Sequence, residues 1–227
     1  MRPHIICHMV STLDGRIDGK AFRHFIPGDE YENTGEALKG DAWVCGRTTM
    51  QQHFADGELF VSSSGTPAGP QPVHVATTAE SYAISVDTFG KLRWSKPDVG
   101  GDHLICIVSE QASIDYLAML RRKGISYVVS GKDSTDLAKA VELLAEHFGI
   151  RTLLLEGGGH INGGFLEANL VDEVSLLLAP AIDGRGNVPT VFDGLSPGKA
   201  QATQLKLKSV EQRDRGVLWI RYEVVRI

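Results

Sequence analysis

Leu153-Leu154-Leu155-Glu156-Gly157-Gly158-Gly159-His160-Ile161 is the stretch on which the fold reading turns. Three consecutive leucines form a short apolar run, the pattern of a strand buried on both faces. Three glycines then turn the chain, and Ile161, Phe165 and Leu166 follow at helical spacing. A strand passing through a turn into a helix is half of the unit that builds parallel sheets. Glycines let backbone approach an anion closely, and the start of the next helix offers unpaired N–H groups. A tight turn without a ligand is the alternative, and the glycines alone do not separate the two. Their spacing is not G-x-G-x-x-G, and no G-K-[ST] is present.

The same alternation extends outward from this corner. Upstream, Leu104 to Val108 reads as a strand, followed by a helix capped by Ser113 and stopped by Gly124. Tyr127 to Val129 is a strand. The next helix carries Leu137, Val141, Leu144, Ala145 and Phe148 and ends at Gly149. Ile5 to Val10, Ala42 to Cys45, Val73 to Ala76 and Val174 to Leu178 read as strands, with a small one at Ala83 to Val86. Helices are expected over Asp29 to Leu38 and from Thr48 or Thr49 to His53. Asp56 to Pro72, rich in Gly, Pro and Ser, reads as a long surface loop. Near the end, Leu205 to Val210 and Val217 to Val225 flank Gln212-Arg213-Asp214-Arg215-Gly216 as an antiparallel hairpin. The expected fold is α/β, a mixed, mostly parallel sheet flanked by helices and closed by that hairpin, in one domain over residues 1–227.

Composition narrows the function. The 227 residues are 42% hydrophobic and 22% charged, with a net charge of −5, which fits a folded globular chain. An acidic balance without a basic run argues against nucleic acid as partner. No apolar run approaches the length of a membrane span, and Ile5 to Val10 is too short for a signal segment. Cys7, Cys45 and Cys106 are odd in number, lack C-x-x-C spacing and lie in strand-like runs. Buried thiols in a cytoplasmic protein are expected, without disulfide framework or metal site.

Two further segments carry chemistry. Gly46-Arg47-Thr48-Thr49 ends a strand and opens a helix, with a guanidinium fork and two hydroxyls that suit phosphate. A helix cap beside a surface arginine is the plainer reading. Ser11-Thr12-Leu13-Asp14-Gly15-Arg16 follows the first strand, and in isolation Asp14-Gly15 is a turn. In open α/β sheets ligands lie beyond the carboxyl ends of strands, so a dinucleotide could use both strand-to-helix corners.

Together and in this order, the segments resemble a known family. Ser11 to Arg16 resembles its S-L-D-G-K/R motif, and Gly46-Arg47-Thr48-Thr49 its G-x-x-T. Glu156-Gly157-Gly158-Gly159, Leu170-Val171-Asp172-Glu173 and Pro180 resemble its E-G-G-G … L-V-D-E … P pattern. The family is the RibD C-terminal reductase domain of riboflavin biosynthesis, within the dihydrofolate reductase-like fold. The resemblance spans nearly the whole chain. No H-x-E or P-C-x-x-C motif of the partner deaminase occurs, so a stand-alone reductase is expected.

The resemblance implies NADPH as cofactor and a homodimer. Gly157, Gly158, Gly159, His160 and Ile161 would hold the cofactor's pyrophosphate and nicotinamide side. Gly46, Thr48 and Thr49 would lie on phosphate, Arg47 on the 2′-phosphate, Thr77 with Thr78 nearby, and Val10 against the nicotinamide. Glu156 would bind ribose hydroxyls of the substrate, with Asp14 near. His8 stands where many members have lysine; it is assigned a proton relay on an unshifted pKa of about 6.5, against a strand histidine bonded to backbone. The D-P-x-L-x-x-R segment after the G-x-x-T helix is missing, and Glu110 follows another strand end. The implied activity is that of a 5-amino-6-(5-phosphoribosylamino)uracil reductase: hydride transfer to ribosyl C1′ of the phosphoribosylamino-pyrimidine, leaving a ribityl chain. The alternatives are another substrate, a pterin, folate or other carbonyl or imine, or nucleotide binding without turnover.

Overall fold

The computed structural model describes residues 1–196 and 202–226. In chain order the elements are β1 (His4–Ser11), α1 (Gly19–Phe22), α2 (Glu30–Ala37), β2 (Ala42–Gly46), α3 (Arg47–His53), β3 (Tyr82–Val86), β4 (Asp98–Val99) and β5 (Asp102–Val108). They continue with α4 (Ile114–Arg122), β6 (Ser126–Val129), α5 (Leu137–Phe148), β7 (Thr152–Leu155), α6 (Gly159–Glu167), β8 (Glu173–Leu178), β9 (Leu205–Gln212) and β10 (Leu218–Val224). The fold is mixed α/β, its strands mostly parallel, with the antiparallel β9–β10 hairpin at the end, as the sequence predicts.

The chain divides into two compact units, one of Met1–Pro3 and Asp41–Leu153, the other of His4–Gly40 and Leu154–Ile227. In the first unit the strand order is β4-β5-β3-β2-β7, with β6 also on β5. β2, β3, β5 and β6 run parallel. β3 is buried along its whole length, as its place between two strands requires. The core packs Met50, Leu92, Trp94, Leu104, Cys106, Tyr116, Leu120 and Tyr127 together. Ser113 caps α4 by accepting from the Tyr116 N–H, and Asp136 caps α5 by accepting from Lys139 N–H at 2.9 Å. Asp41 fastens the start of β7: its carboxylate accepts from the N–H groups of Arg151 (2.7 Å) and Thr152 (2.8 Å).

In the second unit the order is β7-β1-β8-β10-β9. β1 and β8 are parallel, with His8 beside Ser175 and Met9 beside Leu176. β10 returns antiparallel to both β8 and β9.

Two expectations are corrected. Val73 to Ala76 forms no strand; only an isolated bridge links His74 to Tyr127, following the Pro70-Gln71-Pro72 segment. Thr77 and Thr78 therefore lie in exposed irregular chain, not at a strand end. The strand of this region is Tyr82–Val86, the small one of the sequence reading, here a central strand. α3 also opens one residue early, on Arg47, because Gly46 takes the extended N-cap position. Among the described residues no helix is long and apolar enough to cross a membrane.

Candidate active site

The glycine corner belongs to the second unit, at the carboxyl end of β7. Gly157 has φ +91°, a conformation that side chains disfavour, and a Cβ there would come within 2.9 Å of the Met9 Sδ and Cε. The peptide joining Gly157 to Gly158 is cis. α6 then begins, its opening N–H groups without partners inside the helix by the helix's own geometry. Gly159 and Gly163 lie one turn apart and both admit close backbone. A Cβ on Gly159 would collide with the Asp193 carboxylate and the Thr190 carbonyl, and one on Gly163 with the Asp193 carbonyl.

The segment Thr190–Asp193 is fastened against this face of α6. The Asp193 N–H donates to Gly159 O at 2.9 Å, and the Asn162 amide donates to Val191 O at 2.8 Å. The Asp193 carboxylate is occupied by the Thr190 N–H (2.9 Å) and hydroxyl (2.7 Å). Asn162 is fully buried, and its Oδ1 has no hydrogen-bond partner. Met9, Asn162, Thr190 and Asp193 were not singled out from the sequence. The i, i+4 pair Gly159 and Gly163 was the available signal, since small residues one turn apart let another segment approach.

Glu156 is half-buried beside this turn, close enough that its charge, after burial itself, helps push the Cys7 thiol up. His160 is exposed and Ile161 half-buried. Val10 lies on the same face of β1 as His8, whereas Met9, on the opposite face, touches the glycine corner.

His8 does not keep the unshifted pKa on which its proton relay was assigned. It is fully buried and burial pushes its pKa down to about 4. The ring stacks on Tyr31 at 4.6 Å between centroids. Its tautomer follows from its neighbours. The Trp219 indole can only donate, and does so to Ser175 Oγ at 2.8 Å. Ser175 therefore donates its own proton to His8 Nδ1 at 3.0 Å, leaving Nε2–H to face Tyr31 O at 3.3 Å. The Tyr31 hydroxyl returns a bond to His8 O at 3.1 Å. His8 thus pins α2 to β1 as a neutral ring.

Asp14 ties two loops. It accepts from the Thr12 hydroxyl (2.6 Å) and from the N–H groups of Asp183 (3.0 Å) and Gly184 (2.9 Å). These bonds hold its carboxyl well below the usual range.

The second corner belongs to the first unit. Arg47 is exposed and donates to Gln51 Oε1 at 2.9 Å; Thr48 is exposed and Thr49 half-buried. Asp87, which follows the adjacent β3, is buried and has its pKa raised by that burial, with the Arg47 charge pulling the other way. Glu110 follows β5 and gives its N–H to Gly131 O at 2.9 Å. Among the described residues no group of three or more His, Cys, Asp or Glu could hold a metal ion.

Comparison with known proteins gives a consistent picture. The RibD C-terminal domain model matches residues 3–219. A 2,5-diamino-6-ribosylamino-4(3H)-pyrimidinone 5′-phosphate reductase of Methanothermobacter thermautotrophicus is 34% identical over 211 residues, 92% of each chain. A protein of the same name from Archaeoglobus fulgidus is 35% identical over 204 residues, 86% of this chain and 89% of that one. Among solved structures, a pyrimidine reductase-like protein of Corynebacterium diphtheriae superposes with a TM-score of 0.73 at 16% identity, covering 99% of this chain and 93% of that one.

Proposed function

The chain belongs to the RibD C-terminal domain family and is an oxidoreductase, and from that premise we propose that it reduces a phosphoribosylamino-pyrimidine with NADPH. The observation that carries the reading is the extent of the likeness: 34% identity sustained over 92% of both chains. The names of these relatives favour the 2,5-diamino-pyrimidinone over the deaminated uracil as the ring. The reaction converts the ribosyl group to ribityl at C1′.

The glycine corner fits the cofactor. Met9 and the Asp193 segment take up the space beside Gly157, Gly159 and Gly163 and so fix this backbone, and α6 begins here with N–H groups that no residue of its own helix accepts. Bound NADPH supplies the hydride. The chain's own residues bind and orient. Gly157, Gly158, Gly159, His160 and Ile161 form the surface on which the pyrophosphate and nicotinamide side rest. The Asp193 segment holds α6 in place behind them. Glu156 accepts hydrogen bonds from the ribose hydroxyls and fixes C1′ in a near-attack position. Asp14 keeps the loop after β1 attached to residues 183 and 184, and His8 holds α2 as a positioning residue. Arg47 contributes the charge that selects the 2′-phosphate, with Gly46, Thr48 and Thr49 beside it. The homodimer and the cytoplasm, where three free thiols stay reduced, complete this reading.

The test is NADPH oxidation with the 2,5-diamino-pyrimidinone ribosyl phosphate and, separately, with dihydrofolate. Turnover of the first and not the second is expected. Turnover of dihydrofolate alone would move the protein to the pterin reading, and binding of NADPH without turnover of either would leave it a nucleotide binder.

A further inference from the structure

β1 and β8 are neighbours and parallel, so the loops that follow them leave from the same end of the sheet. The first loop turns at Asp14-Gly15, where Gly15 has φ +79°. Arg16 is closed into that turn by its N–H, which donates to the Thr12 hydroxyl oxygen at 3.0 Å. It comes to lie opposite Thr190 of the second loop, in an isolated antiparallel bridge.

The two loops are fastened at both ends of their contact. At the near end Asp14 accepts from residues 183 and 184, and the exposed Arg185 guanidinium donates to Asp18 at 3.0 Å. At the far end the Ile17 N–H donates to Pro189 O at 3.0 Å and the Val191 N–H to Gly15 O at 3.3 Å. There the Arg16 side chain also crosses between the loops, its Nη1 donating to Val188 O at 2.9 Å. Its Nε is shut off from solvent and lies 4.0 Å from the Asp14 carboxylate. The guanidinium is therefore held between that charge and Val188 O and does not swing free. This far end is the part of the second loop that seats on α6, through Val191 O on Asn162 and the Asp193 N–H on Gly159 O.

We propose that Arg16 is a positioning residue for the cofactor. By holding Val188 it sets the place of the Thr190–Asp193 segment and, through Gly159, of the turn on which the pyrophosphate rests. The inference rests on the NADPH reading above and adds to it a residue that acts through Asp193. The chain of contacts is continuous, from the Arg16 fork to Val188, along the backbone to Asp193, and across to Gly159. Gly159 leaves no slack in the last step, since a Cβ there would collide with Asp193 and Thr190. A shift of the segment thus moves the start of α6 or loses its bond to it, and either change displaces the N–H groups that an anion would meet.

Fluorescence titration with NADPH, run beside thermal unfolding, separates this role from that of a plain tether. Arg16→Met is expected to raise the NADPH Kd by about 10-fold. Arg16→Lys, which can still donate to Val188 O, is expected to bring it back to within about threefold of wild type. Arg185→Met, at the exposed near end of the same loops, is expected to leave Kd within about a factor of two. A lower unfolding temperature in Arg16→Met with a wild-type Kd would overturn the proposal, and so would an equal loss of affinity in Arg185→Met. Should Arg16→Met fail to fold, hydrogen exchange of the wild-type chain decides. Coupling between a ligand and a segment acts in both directions, so saturating NADPH is expected to slow exchange at the Ile17 and Val191 amides. Unchanged exchange at both would overturn the proposal. Failure of the wild-type chain to bind NADPH would instead bring down the reading on which it rests, a result distinct from a wild-type Kd in the variant.

Discussion

Glu156–Ile161 and Gly46–Thr49 look alike in sequence, each a strand passing through glycine into a helix, but the structure builds them differently. The first is held by its surroundings: Met9 closes one side of Gly157, and the Asp193 segment is bonded to α6 through Gly159 and Asn162. The second opens a seven-residue helix whose exposed arginine donates one turn further along that helix, to Gln51. A fixed backbone serves where geometry matters, and a long charged side chain serves where only charge is needed. The difference predicts unequal sensitivity to mutation.

The largest effect is expected at the fastened corner. Gly159→Val drives a branched side chain into Asp193 and Thr190, so thermal unfolding should show a loss of about 1–3 kcal/mol and NADPH oxidation should fall by at least ~100-fold. Glu156→Gln keeps the shape and removes the charge. It should lower kcat/KM for the pyrimidine substrate by about 100-fold while leaving the NADPH Kd within a factor of two, as read by fluorescence titration. At the other corner, Arg47→Ala should weaken NADPH by about 10-fold and NADH hardly at all, with no change in unfolding temperature. An equal loss for both cofactors would erase the distinction drawn between the corners.

A smaller effect is thermodynamic. His8 titrates at about 4 in the folded chain and near 6.5 when unfolded, so between these values the unfolded state binds more protons. The contribution is fully present above pH 6.5 and is lost as the pH falls toward 4, by about 3 kcal/mol in all. Urea unfolding at pH 7, 5.5 and 4 should show that decline, and His8→Gln should flatten its slope. The smallest effect is expected at Thr77: Thr77→Ala, in exposed irregular chain, should leave NADPH affinity within a factor of two.

Local patterns were readable wherever one short segment determined its own structure. Ser113, Gly149 and the leucines of β7 do so, and their elements stand within a residue or two of the reading. Val73 to Ala76 misled because this run, after Pro70 and Pro72, meets β6 at a single bridge, His74 to Tyr127, whereas Tyr82–Val86, polar Ser85 included, has partners on both sides. At the candidate site, Glu156 and the glycines were legible as a motif. Asp193, Asn162 and the Trp219–Ser175–His8 chain were not, because each contact joins residues roughly 30 to 170 positions apart. The tautomer of His8 depends on an indole that only the folded chain brings near.

The three cysteines have an experimental use. Cys7, Cys45 and Cys106 are buried on β1, β2 and β5, and burial pushes the Cys7 and Cys106 thiols well above their ordinary range. The thiolate is the form that electrophiles attack, so the native chain offers an alkylating reagent no target. Labelling therefore begins only when a strand opens, and mass spectrometry of the alkylated peptides would time the opening of each of the three strands separately.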